Sequence, residues 1–303
     1  MLSHSEDYNV YILIPIHNNI AETRKCLSCI HNQTYNNYEV VVIDDGSTDN
    51  STEIIKNVYP DTTILQGDGN LWWAGALFMG IEHILKKADD KDFLLILNND
   101  VTFDEIYIET LINCSKDSQN TIIGSLCIDS ETGKIADSGP IIDWSKLKFS
   151  IKPLIDDNKD IIEGLDTLST RGVLIRISII KKIGNFIPEQ LPHYASDYEY
   201  FIRAKNKEYK LIMSKKAVVF SNSSTTGIHY LDDVNGIKEL YKYLFSIKSA
   251  ANVIIWLRFT KLCCPSKYKI LNYLRIIGRA FIASIIIMFK LKINKIKLIT
   301  KSV

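Results

Sequence analysis

Short apolar runs alternate with amphipathic stretches through the first hundred residues. Val10 to Ile16 is apolar and β-branched, closed by Pro15 and His17-Asn18-Asn19. Val40 to Ile43, Thr62 to Leu65 and Phe93 to Leu97 are further runs of the same kind. Brief runs bounded by turn residues predict strands, and a run with no polar alternation predicts a strand buried on both faces. Between them, Thr23 to His31, Asp49 to Tyr59 and Ala74 to Lys87 predict helices. Leu77, Ile81, Ile84 and Leu85 share one face of the third, and Asn50 or Ser51 is an N-cap for the second. This alternation predicts an α/β fold of right-handed βαβ units, with a mostly parallel sheet and helices on both faces.

From about Thr121 to Gly236 the pattern is less regular. Thr121 to Ile128 and Val173 to Ile177 predict strands, Ile179 to Ile183 and Asp197 to Lys207 helices, and Asp129 to Asp166 is polar and turn-rich. The divisions that follow are 1–118, 119–238 within the same domain, and a C-terminal region 239–303. In that last region Asn272, Arg275, Arg279 and Lys290 fall on one helical stripe among Leu271, Leu274, Ile277, Phe281, Ile282 and Ile285. Its longest uncharged apolar run, Ala280 to Phe289, is too short to span a bilayer. A basic amphipathic helix lying on an anionic membrane is the expectation, against the plainer reading of a helix packed on the body.

Charge sharpens that contrast. The chain has 303 residues and a formal net charge of +1, but Leu240 to Val303 holds 13 Lys and Arg and no Asp or Glu. The remainder carries 23 basic against 35 acidic residues. A basic end on an acidic body suits an anionic surface, here the inner leaflet of a cell membrane, and no nucleic-acid partner is expected. The opening residues lack an apolar leader segment, and six cysteines in a chain this long make no disulfide framework, so a cytoplasmic setting is expected. Cys26-Leu27-Ser28-Cys29 has CxxC spacing without a second pair and reads as helix packing.

Candidate chemistry gathers at the predicted strand ends. Asp44-Asp45-Gly46-Ser47-Thr48-Asp49 follows the second run, where ligands bind in open α/β sheets. Asn98-Asn99-Asp100 follows the fourth; Asp100 is a candidate ligand for a hard cation, or a cap for the next helix. Gly67 to Gly75 is a glycine-rich loop that is neither a dinucleotide fingerprint nor a P-loop. Its Trp72 and Trp73 suit stacking on a sugar or base, or core packing. Asp197 and Glu199 open a predicted helix on different faces; one is a candidate general base, or both complement the helix dipole. His229, after a polar loop, is a metal or diphosphate ligand or a surface histidine.

Taken in order, these pieces resemble an inverting family 2 glycosyltransferase of the GT-A, Rossmann-like fold. Leu13-Ile14-Pro15-Ile16-His17-Asn18 resembles the family's first strand and its nucleotide-contacting end, and Asp44 to Asp49 its DDGSTD motif. Asn98-Asn99-Asp100 stands where its DxD motif lies, with Asn98 in place of the first acid. Ser196-Asp197 stands where Glu-Asp is frequent. The stretch from Gly69 to Gly75 resembles rhamnosyltransferase-like members that build bacterial surface polysaccharides.

The resemblance implies a UDP- or dTDP-sugar donor and a glycan or lipid-linked acceptor. Pro15, His17, Asn18, Asp44, Asp45, Gly46, Ser47, Gly69, Asn70 and Asn99 would line the nucleotide. Mg²⁺ or Mn²⁺ would sit on Asp100, supported by His229, and Asp197 would be the catalytic base. Trp72, Trp73, Gly172, Glu199 and Arg203 would meet sugar or acceptor. One base without a nucleophile implies single displacement and inversion. Two other readings stand beside it: a nucleotidyltransferase, whose triphosphate loop has no counterpart at His17 to Glu22, and a non-catalytic nucleotide- or saccharide-binding protein on the same fold.

Overall fold

The computed structural model describes residues 8–115, 119–155, 159–222, 234 and 236–301, with side chains to residue 290. Its first half runs β1 (Val10–Ile16), α1 (Ile20–His31), β2 (Tyr38–Asp44), α2 (Ser51–Val58), β3 (Thr63–Gln66), α3 (Trp72–Ile84), β4 (Phe93–Ile96), β5 (Val101–Thr102) and α4 (Tyr107–Ser115). There follow β6 (Thr121–Asp129), β7 (Ile135–Asp137), β8 (Pro140–Asp143), β9 (Lys148–Ile151), β10 (Ile161–Ile162), β11 (Val173–Arg176), α5 (Ile177–Ile183), α6 (Ser196–Asn206) and β12 (Lys210–Ser221). Three helices close the chain: α7 (Ile237–Phe245), α8 (Val253–Cys263) and α9 (Ser266–Lys301).

The main sheet has the order β10-β12-β6-β11-β4-β1-β2-β3. Strands β3, β2, β1 and β4 are all parallel, so their carboxyl ends share one edge. β11 lies antiparallel between β4 and β6, and therefore brings its amino end to that same edge. Alternate residues of β1 serve opposite layers. Tyr11 and Leu13 join a core with α3, α5 and α6; Val10, Ile12 and Ile14 join one with α1 and α4. Covering both faces explains why these strands read as unbroken apolar runs.

Pro15 sits inside β1, fully buried, opposite Ile43. The β1–β4 ladder ends at Leu13 and Ile96, so the missing N–H of Pro15 interrupts no registered pair there. Its surroundings are those of a strand interior.

The C-terminal region is built of helices. The first of them, α7, spans residue 239. α8 packs on α6, with Phe259, Trp256, Phe149, Trp144 and Tyr198 in one aromatic cluster, so the region belongs to the body. The short run Ala280 to Phe289 is embedded in α9, whose stretch Ser266–Lys290 (25 residues, mean hydropathy 1.7) is long and apolar enough to cross a membrane by length and composition. The β-branched stretch after Ile285 continues this helix.

Candidate active site

At the end of β2 the acids are held in place. Asp44 is buried; its Oδ1 accepts the Ser47 N–H at 2.8 Å and its Oδ2 accepts the Thr52 hydroxyl. Asp49 accepts the Ile20 N–H at 2.9 Å and the Ser51 hydroxyl at 2.5 Å. It thus ties together the first turns of α1 and α2. Asn50 occupies the N-cap position the sequence suggests, but in a left-handed conformation (φ 62°) and without a side-chain cap hydrogen bond.

The neighbouring β1 loop is laced to this one. His17 Nδ1 donates to the Asp45 carbonyl at 2.6 Å, Asn18 N–H to Ser47 Oγ at 2.7 Å, and Thr48 N–H to Asn18 Oδ1 at 2.8 Å. A carbonyl can only accept, which places the imidazole proton on Nδ1. Asn18 and Asn19 both take positive φ, a conformation that asparagine tolerates better than most residues.

Asp45 anchors the glycine-rich loop. Its Oδ1 accepts the Gly69 N–H at 2.8 Å and its Oδ2 the Trp72 N–H at 3.0 Å. A Cβ on Gly46, itself at φ 73°, would lie 2.9 Å from Gly69 Cα, so only glycine lets the two loops approach this closely. Asn70 is exposed beside them. α3 begins at Trp72, two residues before the expected start. Asp45 satisfies the Trp72 N–H and the Pro192 carbonyl the Ala74 N–H (2.9 Å), so tertiary acceptors fill the places of a cap.

Beyond β4 the geometry points to a cation. Asn98 Oδ1 and Asp100 Oδ1 are both buried with no hydrogen-bond partner. Buried acceptors are normally satisfied, and two orphaned oxygens two residues apart suit a hard cation. Asn99 does not join them: its Nδ2 donates to Thr23 Oγ1 at 2.9 Å. Among the described residues no three His, Cys, Asp or Glu side chains converge as a metal cage. A cation here would therefore rest on Asp100 and Asn98 with phosphate oxygens completing its shell, the habit of Mg²⁺ in phosphate sites. His229 lies outside the described residues.

Arg171, a residue the sequence reading passes over, lies within electrostatic reach of Asp100. Burial raises the Asp100 carboxyl above its ordinary range, while Arg171 pulls it back down. Asp137 and Asp197 also lie within electrostatic reach of this guanidinium. Gly172 makes the placement feasible. It takes φ 111°, and a Cβ there would come within 2.3 Å of the Tyr107 hydroxyl, which is bonded to Ser125 Oγ at 2.7 Å. Its role is close passage of the backbone at the head of β11.

The first turn of α6 completes the edge. Burial pushes the Asp197 carboxyl up to about 6, against the Tyr198 N–H it accepts at 2.8 Å and the pull of Arg171. Ser196 is buried and donates to the His193 carbonyl at 2.6 Å, fixing the turn in which Ala195 is left-handed (φ 63°). Glu199 and Arg203 form an ion pair at 2.9 Å, and Arg203 also donates to the carbonyls of Ile183 and Asn185. That pair fastens α6 to the end of α5.

The tryptophans part company. Trp73, in the first turn of α3, packs against the core. The Trp72 ring lies 5.9 Å from that of His193, and Lys248 Nζ stands 5.8 Å from its centroid. Burial, helped by Lys248, lowers His193 to about 4, and its Nδ1 is buried without a partner. This imidazole is neutral at physiological pH. The CxxC pair lies on α1, Cys26 fully buried, in keeping with packing.

Acid-bearing loops at the carboxyl ends of β2 and β4, joined by a carboxylate from a later helix, define a GT-A type of α/β glycosyltransferase fold. Sequence comparison makes this specific: residues 11–183, more than half of the chain, match Glycosyl transferase family 2, and the chain belongs to that family. It is 33 % identical to glycosyltransferase GlyA of Streptococcus pneumoniae serotype 4 over 107 residues, covering 35 % of this chain and 15 % of that protein. Over 238 residues it is 26 % identical to an uncharacterised glycosyltransferase of Rickettsia typhi, covering 75 % and 70 %. The chain thus spans a small part of GlyA and most of the rickettsial relative.

Two solved structures share the fold. GalNAc-T7 with UDP, GalNAc and Mn²⁺ aligns with a TM-score of 0.59 at 16 % identity, over 70 % of this chain and 43 % of its own. The mannosyltransferase PcManGT of Pyrobaculum calidifontis, in complex with GDP-Man and Mn²⁺, aligns at 0.57 and 14 %, over 90 % and 73 %.

Proposed function

We propose that this glycosyltransferase moves a hexosyl or rhamnosyl unit from a UDP- or dTDP-linked donor to a hydroxyl of a glycan or lipid-linked acceptor, with inversion. Synthesis of a bacterial surface polysaccharide, on the cytoplasmic side of the membrane, is the setting we infer. The observation that carries the reading is the pair of orphaned oxygens on Asn98 and Asp100, at the same sheet edge as the Asp45 loop and Asp197. UDP, GalNAc and Mn²⁺ in one solved neighbour, and GDP-Man and Mn²⁺ in the other, support a nucleotide-sugar donor and a divalent cation.

In this reading the loops of His17 to Asn18 and Asp44 to Ser47 hold the base and ribose, and Gly69 and Asn70 close over them. Asp100 and Asn98 would hold a Mg²⁺ or Mn²⁺, which would supply charge neutralisation to a departing diphosphate. Arg171 adds a fixed positive charge beside the same acids. Asp197 accepts the proton of the acceptor hydroxyl; a base titrating near 6 is largely ionised at neutral pH yet still basic enough to take it. The acceptor oxygen attacks the anomeric carbon from the face opposite the nucleotide. Trp72 and neutral His193 form the wall against which the sugar or acceptor stacks.

Calorimetric titration of UDP and dTDP tests the binding half of this reading. Affinity should rise on adding Mn²⁺ for the natural chain and stay flat for Asp100→Ala. Equal enhancement in both would remove Asp100 from the cation site.

A further inference from the structure

α9 packs on the body through a mixed face of Asn272, Ile276, Ala283 and Ile287, yet leaves a long apolar stripe bare on its other side. Asn272 is fully buried and donates to the Trp144 carbonyl at 2.9 Å and to Cys264 Sγ at 3.3 Å. Arg275 donates to Asn272 Oδ1 at 2.8 Å, Arg279 to the Lys146 carbonyl at 3.3 Å, and Lys290 to the Val234 carbonyl at 3.4 Å. The opposite stripe, Ile270, Leu274, Ile277, Phe281 and Met288, repeats at offsets of 4, 7, 11 and 18 residues and is bare. Ile270 is 76 % exposed and Phe281 66 %. Surface helices of globular proteins turn their apolar stripe inward. A contiguous apolar face turned outward marks an interaction surface.

Charge selects the occupant. The region from Leu240 onward carries 13 cations and no acid. A second copy docked on this face would oppose two such regions with no carboxylate in either to pair them. An anionic lipid surface supplies the missing charge and the apolar phase together. A spanning arrangement would strip Asn272 and Arg279 from the carbonyls of Trp144 and Lys146 and leave them, with Arg275, at hydrocarbon depth, where polar and charged groups are costly.

We propose that α9 lies flat in the headgroup–acyl boundary of an anionic bilayer, its Ile270–Leu274–Ile277–Phe281–Met288 stripe inserted and its Asn272–Ile276–Ala283–Ile287 face packed on the body. This departs from the usual interfacial helix, whose polar face meets water. It stands whether or not the transfer reading holds.

Flotation of the full chain with phosphatidylcholine vesicles, with and without phosphatidylglycerol, tests it. The natural chain should float with the anionic vesicles, and added salt should weaken that. Ile277→Glu with Phe281→Glu should lower the vesicle partition coefficient by roughly a hundredfold or more, since two inserted side chains are lost. The melting temperature should not fall, because both positions face outward. No flotation of the natural chain, or equal flotation of the double variant, overturns the proposal. So does a dimer in lipid-free solution that the double variant dissociates, since a second copy then covers the face. Alkaline carbonate should release the protein from cell membranes; retention would mean a spanning helix and contradict the flat orientation.

Discussion

Asp45 holds the backbone N–H of Trp72 on its Oδ2 at 3.0 Å, which joins the end of β2 to the start of α3. With Gly69 on the other oxygen, one carboxylate organises the whole glycine-rich loop. Hydrogen bonds to a charged group contribute about 1.5–3 kcal/mol each. Asp45→Ala should therefore lower UDP or dTDP affinity by tenfold or more, with the loop newly open to limited proteolysis between Gly67 and Trp72. Unchanged affinity and unchanged cleavage would remove Asp45 from this role.

The cation site has an amide where a second acid would bind more tightly. Asn98→Asp adds a formal charge beside Asp100, so half-saturation by Mn²⁺ should fall to a lower concentration. A titration of Mn²⁺ against donor binding reads this directly. Burial already raises Asp100, and a neighbouring carboxylate raises it further. The tightening should accordingly vanish as the pH is lowered into the carboxylate range.

Asp197 ties rate and stability to pH in opposite senses. As a base it must be ionised, so the rate should fall below a pH of about 6. Asp197→Asn should cost on the order of 10²–10⁴-fold in rate with donor binding retained. For stability, a carboxyl whose folded-state titration lies above its ordinary value favours the fold while protonated. That contribution is complete below the ordinary carboxylate range and is lost as pH rises through about 6. Asp197→Asn should therefore raise Tm at pH 7.5 and lose that gain in mild acid. Calorimetric scans at the two pH values decide the point.

Arg171 lowers both Asp100 and Asp197 through its charge. Arg171→Gln should move the acid limb of the rate profile to higher pH as well as slow the reaction. A merely structural arginine would lower Tm and leave the limb in place.

Arg203→Ala should act on the fold alone. It leaves the buried Glu199 carboxylate without its partner, a loss of about 3–5 kcal/mol in comparable cases. Chemical denaturation should show that loss, while nucleotide affinity in the folded protein stays within a few tenths of a kcal/mol, a factor of about two.

Much of this site is legible in the sequence because it is local. Asp44 to Asp49 and Asn98 to Asp100 are contiguous and follow apolar runs that read plainly as strands. Arg171, Asp137 and His193 carry no such signal. Arg171 reaches the edge because β11 enters the sheet antiparallel, Asp137 because β7 folds back antiparallel on β6, and His193 through the turn at Ala195 before α6; no short-range pattern encodes these. The early start of α3 is hidden for a related reason, since its caps are Asp45 and Pro192, distant in sequence. α9 shows a further limit. Periodicity finds its two stripes, but carbonyls of Trp144 and Lys146 on a remote hairpin decide which one faces in.

Nucleotide release by the purified full chain across UDP-, dTDP- and GDP-sugars, in Mg²⁺, in Mn²⁺ and in EDTA, is the most direct test of the transferase account. Release from a UDP- or dTDP-sugar that EDTA abolishes, and that Asp197→Asn slows while retaining donor binding, is the predicted result. Release indifferent to EDTA would contradict the cation assigned to Asn98 and Asp100. Failure of every nucleotide to bind would contradict the reading of the Asp45 loop itself.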